Sequence, residues 1–264
     1  LTEAPVEKVI VKNGRAIGIA LENGNEYQAD KVISGLDPKL SFLKMVDESD
    51  LPSDFVTDIK NFRIRGSSGK VNLALDGLPD FTCLPGSGPH LRGAISIGPS
   101  YDYLEKAYDD AKYGNFSKVP FLDIIMPSVL DPDMAPPGKH VMSCFVQYAP
   151  YLIKGGWNDQ KREAFGDAVV NAIARFAPNI KNIILHRQVL TPADLESTFG
   201  LTEGNIFHGE LSLQQLFVLR PAANWADYKT PIKNYYQCGS GTHPGGGITG
   251  SPGEMAAKKI LRDW

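Results

Sequence analysis

The strongest constraint on what this 264-residue chain can fold into lies near its C-terminus. Tyr235 and Tyr236 open a strand-like run, six glycines fall between positions 239 and 250, and an Ala/Lys/Leu stretch from Met255 to Leu261 closes the segment as a helix. Strand, glycine loop and helix, in that order, bring unpaired backbone N–H groups and the positive end of a helix dipole to one place. The missing side chains let a flat or anionic ligand come close to the main chain. The dipole contributes about 0.3–1 kcal/mol toward an anionic group, so it orients a ligand and does not hold one alone. The loop is not a Walker A loop, because no Gly-Lys-Ser/Thr follows. It also departs from Gly-x-Gly-x-x-Gly, since Gly239-Ser240-Gly241 runs into Thr242, His243 and Pro244.

The remaining composition narrows the function classes. Apolar residues at 42% and charged residues at 22% are ordinary globular usage, and no apolar run approaches the roughly 18 residues of a spanning helix. With 27 basic against 30 acidic residues the net charge is −3, which gives no electrostatic footprint for nucleic acid. Cys83, Cys144 and Cys238 are far apart and form no C-x-x-C pair, and the five histidines show no ligand spacing, so no metal site is expected. Unpaired cysteines favour a reducing, cytoplasmic compartment, with peripheral contact to a membrane left open. The chain opens Leu1-Thr2-Glu3-Ala4-Pro5 and enters a strand pattern at once, which reads as a cut through a longer protein.

Along the chain the pattern predicts an α+β fold. Residues 6–11 and 16–21 alternate around Asn13-Gly14, Asn23-Gly24 turns the chain again, and 26–28 and 31–34 continue the meander. Gly35-Leu36-Asp37-Pro38 punctuates its end. Strands are predicted over 70–75, 93–97, 121–126, 140–148 and 183–189, all rich in β-branched or aromatic residues. A helix is predicted over 159–176, where Ala164, Phe165, Ala168, Val169, Ala172, Ile173 and Phe176 trace one face. A weaker helix covers 101–113, and Thr191-Pro192 reads as the cap and first residue of another. No internal repeat is visible.

The string Cys238-Gly239-Ser240-Gly241-Thr242-His243-Pro244-Gly245-Gly246-Gly247-Ile248-Thr249-Gly250-Ser251-Pro252-Gly253-Glu254 resembles the C-terminal flavin-contacting motif of phytoene desaturase and carotenoid isomerase-like FAD oxidoreductases, within the amine-oxidase-like class. Residues 204–217, Leu219-Arg220-Pro221 and 227–231 resemble most the branch called pyridine nucleotide-disulfide oxidoreductase domain-containing protein 2. The resemblance is specific in the last sixty residues or so and loose from about 50 to 190. It implies a mixed or antiparallel substrate-domain sheet with helices, plus the last strands and helix of an FAD-binding domain. The implied divisions are 1–37 (meander and a strand returning to the FAD domain), 38–225 (substrate domain) and 226–264 (FAD-contacting strand, loop and helix). The family's N-terminal dinucleotide-binding half, with its Gly-x-Gly-x-x-Gly, has no counterpart here.

The resemblance further implies FAD as cofactor and a hydrophobic small-molecule substrate, with the missing N-terminal half of the same polypeptide as partner. Residues 239–241 would approach the pyrophosphate or ribityl chain and 243–249 would run along the isoalloxazine. His208 is a candidate acid, base or flavin contact. Arg220 is a candidate partner for phosphate or substrate, or one half of a structural ion pair. Trp225 and Tyr228 either wall a substrate cavity or cover the core. The implied reaction is hydride removal from a C–H bond, with the isolated fragment inactive. A non-catalytic scaffold and a redox-neutral flavin isomerase are the alternatives.

Overall fold

The computed structural model describes residues 1–263 and divides into two compact units, Leu1–Ile64 together with the segment from Asn205 onward, and Arg65–Gly204. In chain order the elements are β1 (Val6–Lys12), β2 (Arg15–Leu21), β3 (Glu26–Gln28), β4 (Val32–Ser34), α1 (Pro38–Leu43), α2 (Ser53–Asn61), β5 (Ser68–Leu75), β6 (Ile95–Ile97), α3 (Tyr101–Lys112), β7 (Phe121–Ile125), α4 (Pro127–Leu130), β8 (His140–Gln147), α5 (Asp159–Ala174), α6 (Ile180–Ile183), β9 (Ile184–Leu190), α7 (Pro192–Phe199), β10 (Tyr235–Gln237) and α8 (Ser251–Arg262). This is the α+β mixture that the strand and helix patterns predict.

In the first unit β1, β2 and β3 form an antiparallel meander. Asn13 at φ 52° and Gly14 at φ 69° make the first hairpin, as an Asn-Gly pair does at low cost. β4 corrects the reading of 31–34 as more meander. It leaves that sheet and pairs in parallel with β10, Val32 beside Tyr235 and Ser34 beside Gln237. Parallel strands need a crossover connection, and here the whole second unit lies between them in sequence. Short helices α1 and α2, which periodicity over six and nine residues does not reveal, close the unit. They bury Phe42, Phe55, Val56 and Ile59 against Val9, Ala16, Val32, Ile232 and Tyr235, and the Phe42 and Phe55 rings meet edge to face at 4.9 Å. From Asn205 to Asn234 the backbone holds short 3-10 turns and two single bridges, at Lys229 and Lys233, and Arg220 lies outside any strand.

The second unit is one five-stranded antiparallel sheet in the order β6-β7-β8-β5-β9. Alternation puts Val71, Leu73, Leu75, Leu122, Ile124, Met142, Cys144 and Val146 on one face. There they meet Phe165, Val169, Ala172 and Ile173 of α5. The helix sits slightly rotated from the predicted stripe, for Ala164 is exposed while Gly166 and Val170 are buried. α7 begins as its sequence indicates: Thr191 and Asp194 form a reciprocal capping box, with Pro192 in the first turn.

Candidate functional site

The site grows from the paired ends of β4 and β10. Both strands run the same way, so their carboxyl ends lie side by side, the usual position for ligands in parallel α/β arrangements. Beyond β4 the chain turns through Gly35 and Leu36 into α1. Beyond β10 it enters the glycine loop and then α8. The two helix starts differ. Asp37 caps α1, its Oδ1 accepting from the amides of Lys39 at 2.9 Å and Leu40 at 3.0 Å. The N-cap of α8 is Gly250 at φ 71°, which has no side chain to cap with. Only Thr249 Oγ1, accepting from the Ser251 amide at 3.2 Å, stands nearby.

The six loop glycines separate into two groups by what a Cβ would meet. At Gly239 it would lie 3.2 Å from the Gly35 carbonyl oxygen, at Gly241 2.8 Å from Pro38 Cδ, at Gly245 3.0 Å from Leu211 Cδ2 and at Gly246 2.3 Å from Phe207 Cδ1. These four let the loop lie flush on its own protein. Gly247 meets nothing nearer than 4.0 Å, and Gly250 and Gly253 meet nothing within 4 Å. Next to them Ile248 stands fully exposed at φ 58°, a costly conformation for a β-branched residue. Among the described residues, the amides of 239–241 and 246–250 donate to no protein group. The loop thus offers a row of main-chain donors and an open stretch at 247–253.

Arg220 lies under this loop, fully buried. Its Nε and Nη2 donate to the Ser240 carbonyl at 3.1 and 2.8 Å, its Nη1 to the carbonyls of Glu210 and Gln215 at 3.0 and 3.2 Å, and its Nη2 to that of Phe207 at 3.0 Å. The guanidinium also sits 5.5 Å from the centre of the Phe62 ring. Burial pulls its pKa down to about 10, which leaves it cationic at neutral pH. The geometry therefore turns Arg220 toward main-chain carbonyls rather than toward an open ligand surface.

His208 lies between two of the carbonyls Arg220 gathers. It is half-buried at φ 55°, and its Nδ1 has no hydrogen-bond partner. Burial lowers its pKa, Asp37 opposes that shift and Arg220 adds to it, so the ring is held neutral. Gln237 at the end of β10 is buried, with Nε2 donating to the Leu36 carbonyl at 3.2 Å and to Ser41 Oγ at 3.3 Å, while its Oε1 lacks a donor. Sequence reasoning missed Gln237, although a glutamine ending an otherwise aromatic strand was a signal. His243 is anchored through its main chain, for the Tyr228 hydroxyl donates to its carbonyl at 2.9 Å. Trp225 packs on Phe55 at 5.8 Å and Tyr228 is buried, so both cover the core. A groove of about 390 Å³ along Asp58–Arg63 and Ser212–Ala223, and another of about 520 Å³ between Arg15, Lys31 and Lys229–Tyr236, include no residue of 239–250.

Comparison with known proteins fixes the family. The profile described as flavin containing amine oxidoreductase matches residues 1–252. The chain belongs to the flavin-containing amine oxidoreductase family. Within it, the mouse protein called pyridine nucleotide-disulfide oxidoreductase domain-containing protein 2 is 41% identical over 271 residues, covering 99% of this chain and 47% of that protein. A lycopene-forming phytoene desaturase from Pseudescherichia vulneris is 27% identical, covering 97% of this chain and 49% of the desaturase. Two solved structures share the amine oxidoreductase fold. One is an oxidoreductase from Methanosarcina mazei, 18% identical with a TM-score of 0.56 over 97% of this chain and 48% of that one. The other is a redesigned putrescine oxidase, 13% identical with a TM-score of 0.55 over 99% and 49%. The chain spans about half the length of the curated relatives it matches. The family match agrees with the resemblance read from residues 238–254.

Proposed function

We propose that this chain is the C-terminal half of an FAD-dependent oxidoreductase that passes hydride from a C–H bond of a hydrophobic substrate to the flavin while the neighbouring carbon or nitrogen releases a proton to solvent, forming a C=C or C=N bond. One observation carries the reading: a loop with unpaired amides, open at Gly247, Gly250 and Gly253, continues into a helix whose N-cap is a glycine, at the carboxyl ends of two parallel strands. That is the donor set an anionic, flat cofactor requires. Amides of 239–241 and 246–250 would hold FAD, with two of the orphaned buried atoms, Gln237 Oε1 and His208 Nδ1, as further groups with hydrogen-bonding capacity to spare. The flavin supplies the hydride chemistry when bound, and the protein supplies orientation and electrostatics.

Two features support an incomplete FAD domain, with the dinucleotide-binding half supplied by the rest of the polypeptide. β4 and β10 are three-residue strands that form a two-stranded sheet alone, which is marginal by itself. β10 is covered on its outer edge by the Lys229 bridge, whereas Ile33 of β4 is half-exposed. The loop is an open shelf rather than an enclosed pocket, one wall of a site. We assign substrate binding to the 38–225 stretch, where the sheet face away from α5 carries Val141, Phe145 and Leu190 beside Lys70, Asn72, Ser143 and Gln188. The name of the bacterial relative, a phytoene desaturase, supports an apolar substrate.

The test is reconstitution of the full-length protein with FAD, followed by anaerobic mixing with candidate substrates. Visible flavin absorbance that bleaches on mixing is the expected result. A protein that takes up no flavin refutes the cofactor assignment, and turnover with the flavin still oxidised refutes hydride transfer.

A further inference from the structure

Arg220 stands out because its charge does no visible ionic work. A buried cation away from water is costly unless its hydrogen bonds are filled. Here they are filled by main-chain oxygens drawn from separate stretches of sequence, Phe207, Glu210, Gln215 and Ser240. Ser240 belongs to the glycine loop, and its carbonyl takes two of the donors. A carbonyl fixed inward fixes the peptide plane, so the Gly241 amide on the other side of that plane is turned away from the guanidinium. Phe207 and Leu211, on the same gathered segment, are the side chains on which Gly246 and Gly245 rest. The loop is therefore tied to its floor at Ser240 by hydrogen bonds and at Gly245 and Gly246 by contact, and Arg220 holds both ties.

We propose that Arg220 is the positioning residue of the cofactor loop: from beneath, without touching the ligand, it fixes the loop so that the amides of 239–241 and 246–247 face outward together. This rests on the flavin reading for the ligand and on this chain's geometry alone for the latch. Lysine keeps the charge but offers one nitrogen in place of a planar fork, and cannot span carbonyls on opposite sides of the guanidinium. Methionine keeps the apolar stem and loses every bond.

The experiment uses the full-length protein with two readouts, exchange of the Thr242 and Gly245 amides, which donate within the loop, in the flavin-free protein and equilibrium affinity for added FAD. Arg220→Met is expected to speed loop exchange at least tenfold and weaken FAD binding at least tenfold, with Arg220→Lys between it and the parent. Gly209→Ala approaches the latch without altering the charge. Its Cβ would lie 2.4 Å from Phe62 Cε1 and 3.3 Å from Arg220 Nη2 at a backbone of φ 150°, so it presses first on the ring that packs against the guanidinium, and is expected to loosen the loop in the same direction. If Arg220→Met does not fold, the lysine and alanine variants decide the matter. Unchanged loop exchange in the folded variants overturns the latch. If the parent itself binds no FAD, the flavin reading fails, while the exchange data still judge the latch.

Discussion

Gly246→Ala and Gly253→Ala, seven positions apart in one glycine-rich run, are expected to change stability in opposite directions. At Gly246 a Cβ would sit 2.3 Å from Phe207 Cδ1 and 3.3 Å from Cε1 and Cγ. That is roughly 1.2 Å inside an ordinary carbon contact of about 3.5 Å. Overpacking of this kind costs about 1–3 kcal/mol. The half-buried Phe207 ring can swing, which favours the lower part of that range, but its main chain cannot retreat without losing the bond to Arg220 Nη2. A loss of about 1–2 kcal/mol is the outcome, a factor of roughly 5–30 in the folded-to-unfolded ratio. At Gly253 nothing lies within 4 Å and the residue is in the first turn of α8. Alanine there removes unfolded-state freedom and stabilises by about 0.4–1 kcal/mol. Urea unfolding of the full-length variants, followed by far-ultraviolet circular dichroism, measures both. A Gly246→Ala protein as stable as the parent, or a destabilised Gly253→Ala protein, would refute the division of the loop into packed and open glycines.

Three other outcomes follow from individual contacts. Thr191→Ala removes a buried cap whose Oγ1 accepts from the Asp194 amide and donates to its carboxylate, and should lower unfolding stability by about 1–2 kcal/mol, with Thr191→Ser restoring most of it. His208 has its pKa lowered by burial, so the unfolded chain binds the proton more readily than the native one. Its contribution to stability is present above 6.5 and declines as pH falls below that value toward the native pKa; His208→Gln should flatten that part of the stability-against-pH curve, and an unaltered slope counts against a buried neutral ring. Burial pushes the Cys144 thiol up to about 12, whereas Cys83 is exposed, so peptide mapping after brief native alkylation should find label on Cys83 and none on Cys144.

Much of the local architecture was legible. Asn13-Gly14 marks a hairpin because positive φ is cheap there, and alternation over 70–75 and 140–148 marks strands with one buried face. Thr191-Pro192-x-Asp194 announces a helix start. These signals lie within a few residues of one another, so the sequence alone carries them. The loop at 239–250 was legible for a similar reason, since strand, glycines and helix are contiguous. α1 and α2 were not, being too short for a period to show.

What the sequence determined by itself is the inventory: a hairpin meander, five strands and a helix for the second sheet, and a backbone-donor loop at a helix start. What only the tertiary structure decided is which partner each piece meets. The residue pattern of 31–34 does not indicate that β4 pairs in parallel with β10, because that partner lies beyond the whole second unit, and only the family resemblance implied a strand returning to the FAD domain. Six glycines read alike in a string, yet four lie where Gly35, Pro38, Leu211 and Phe207 press on them, while Gly247 and Gly250 have open space and hold positive φ, at 130° and 71°. Arg220 counts as one positive charge in any composition. Burial and the main-chain oxygens of distant segments turn it into the tie beneath the loop, and those oxygens belong to every residue type, so no side-chain pattern records them.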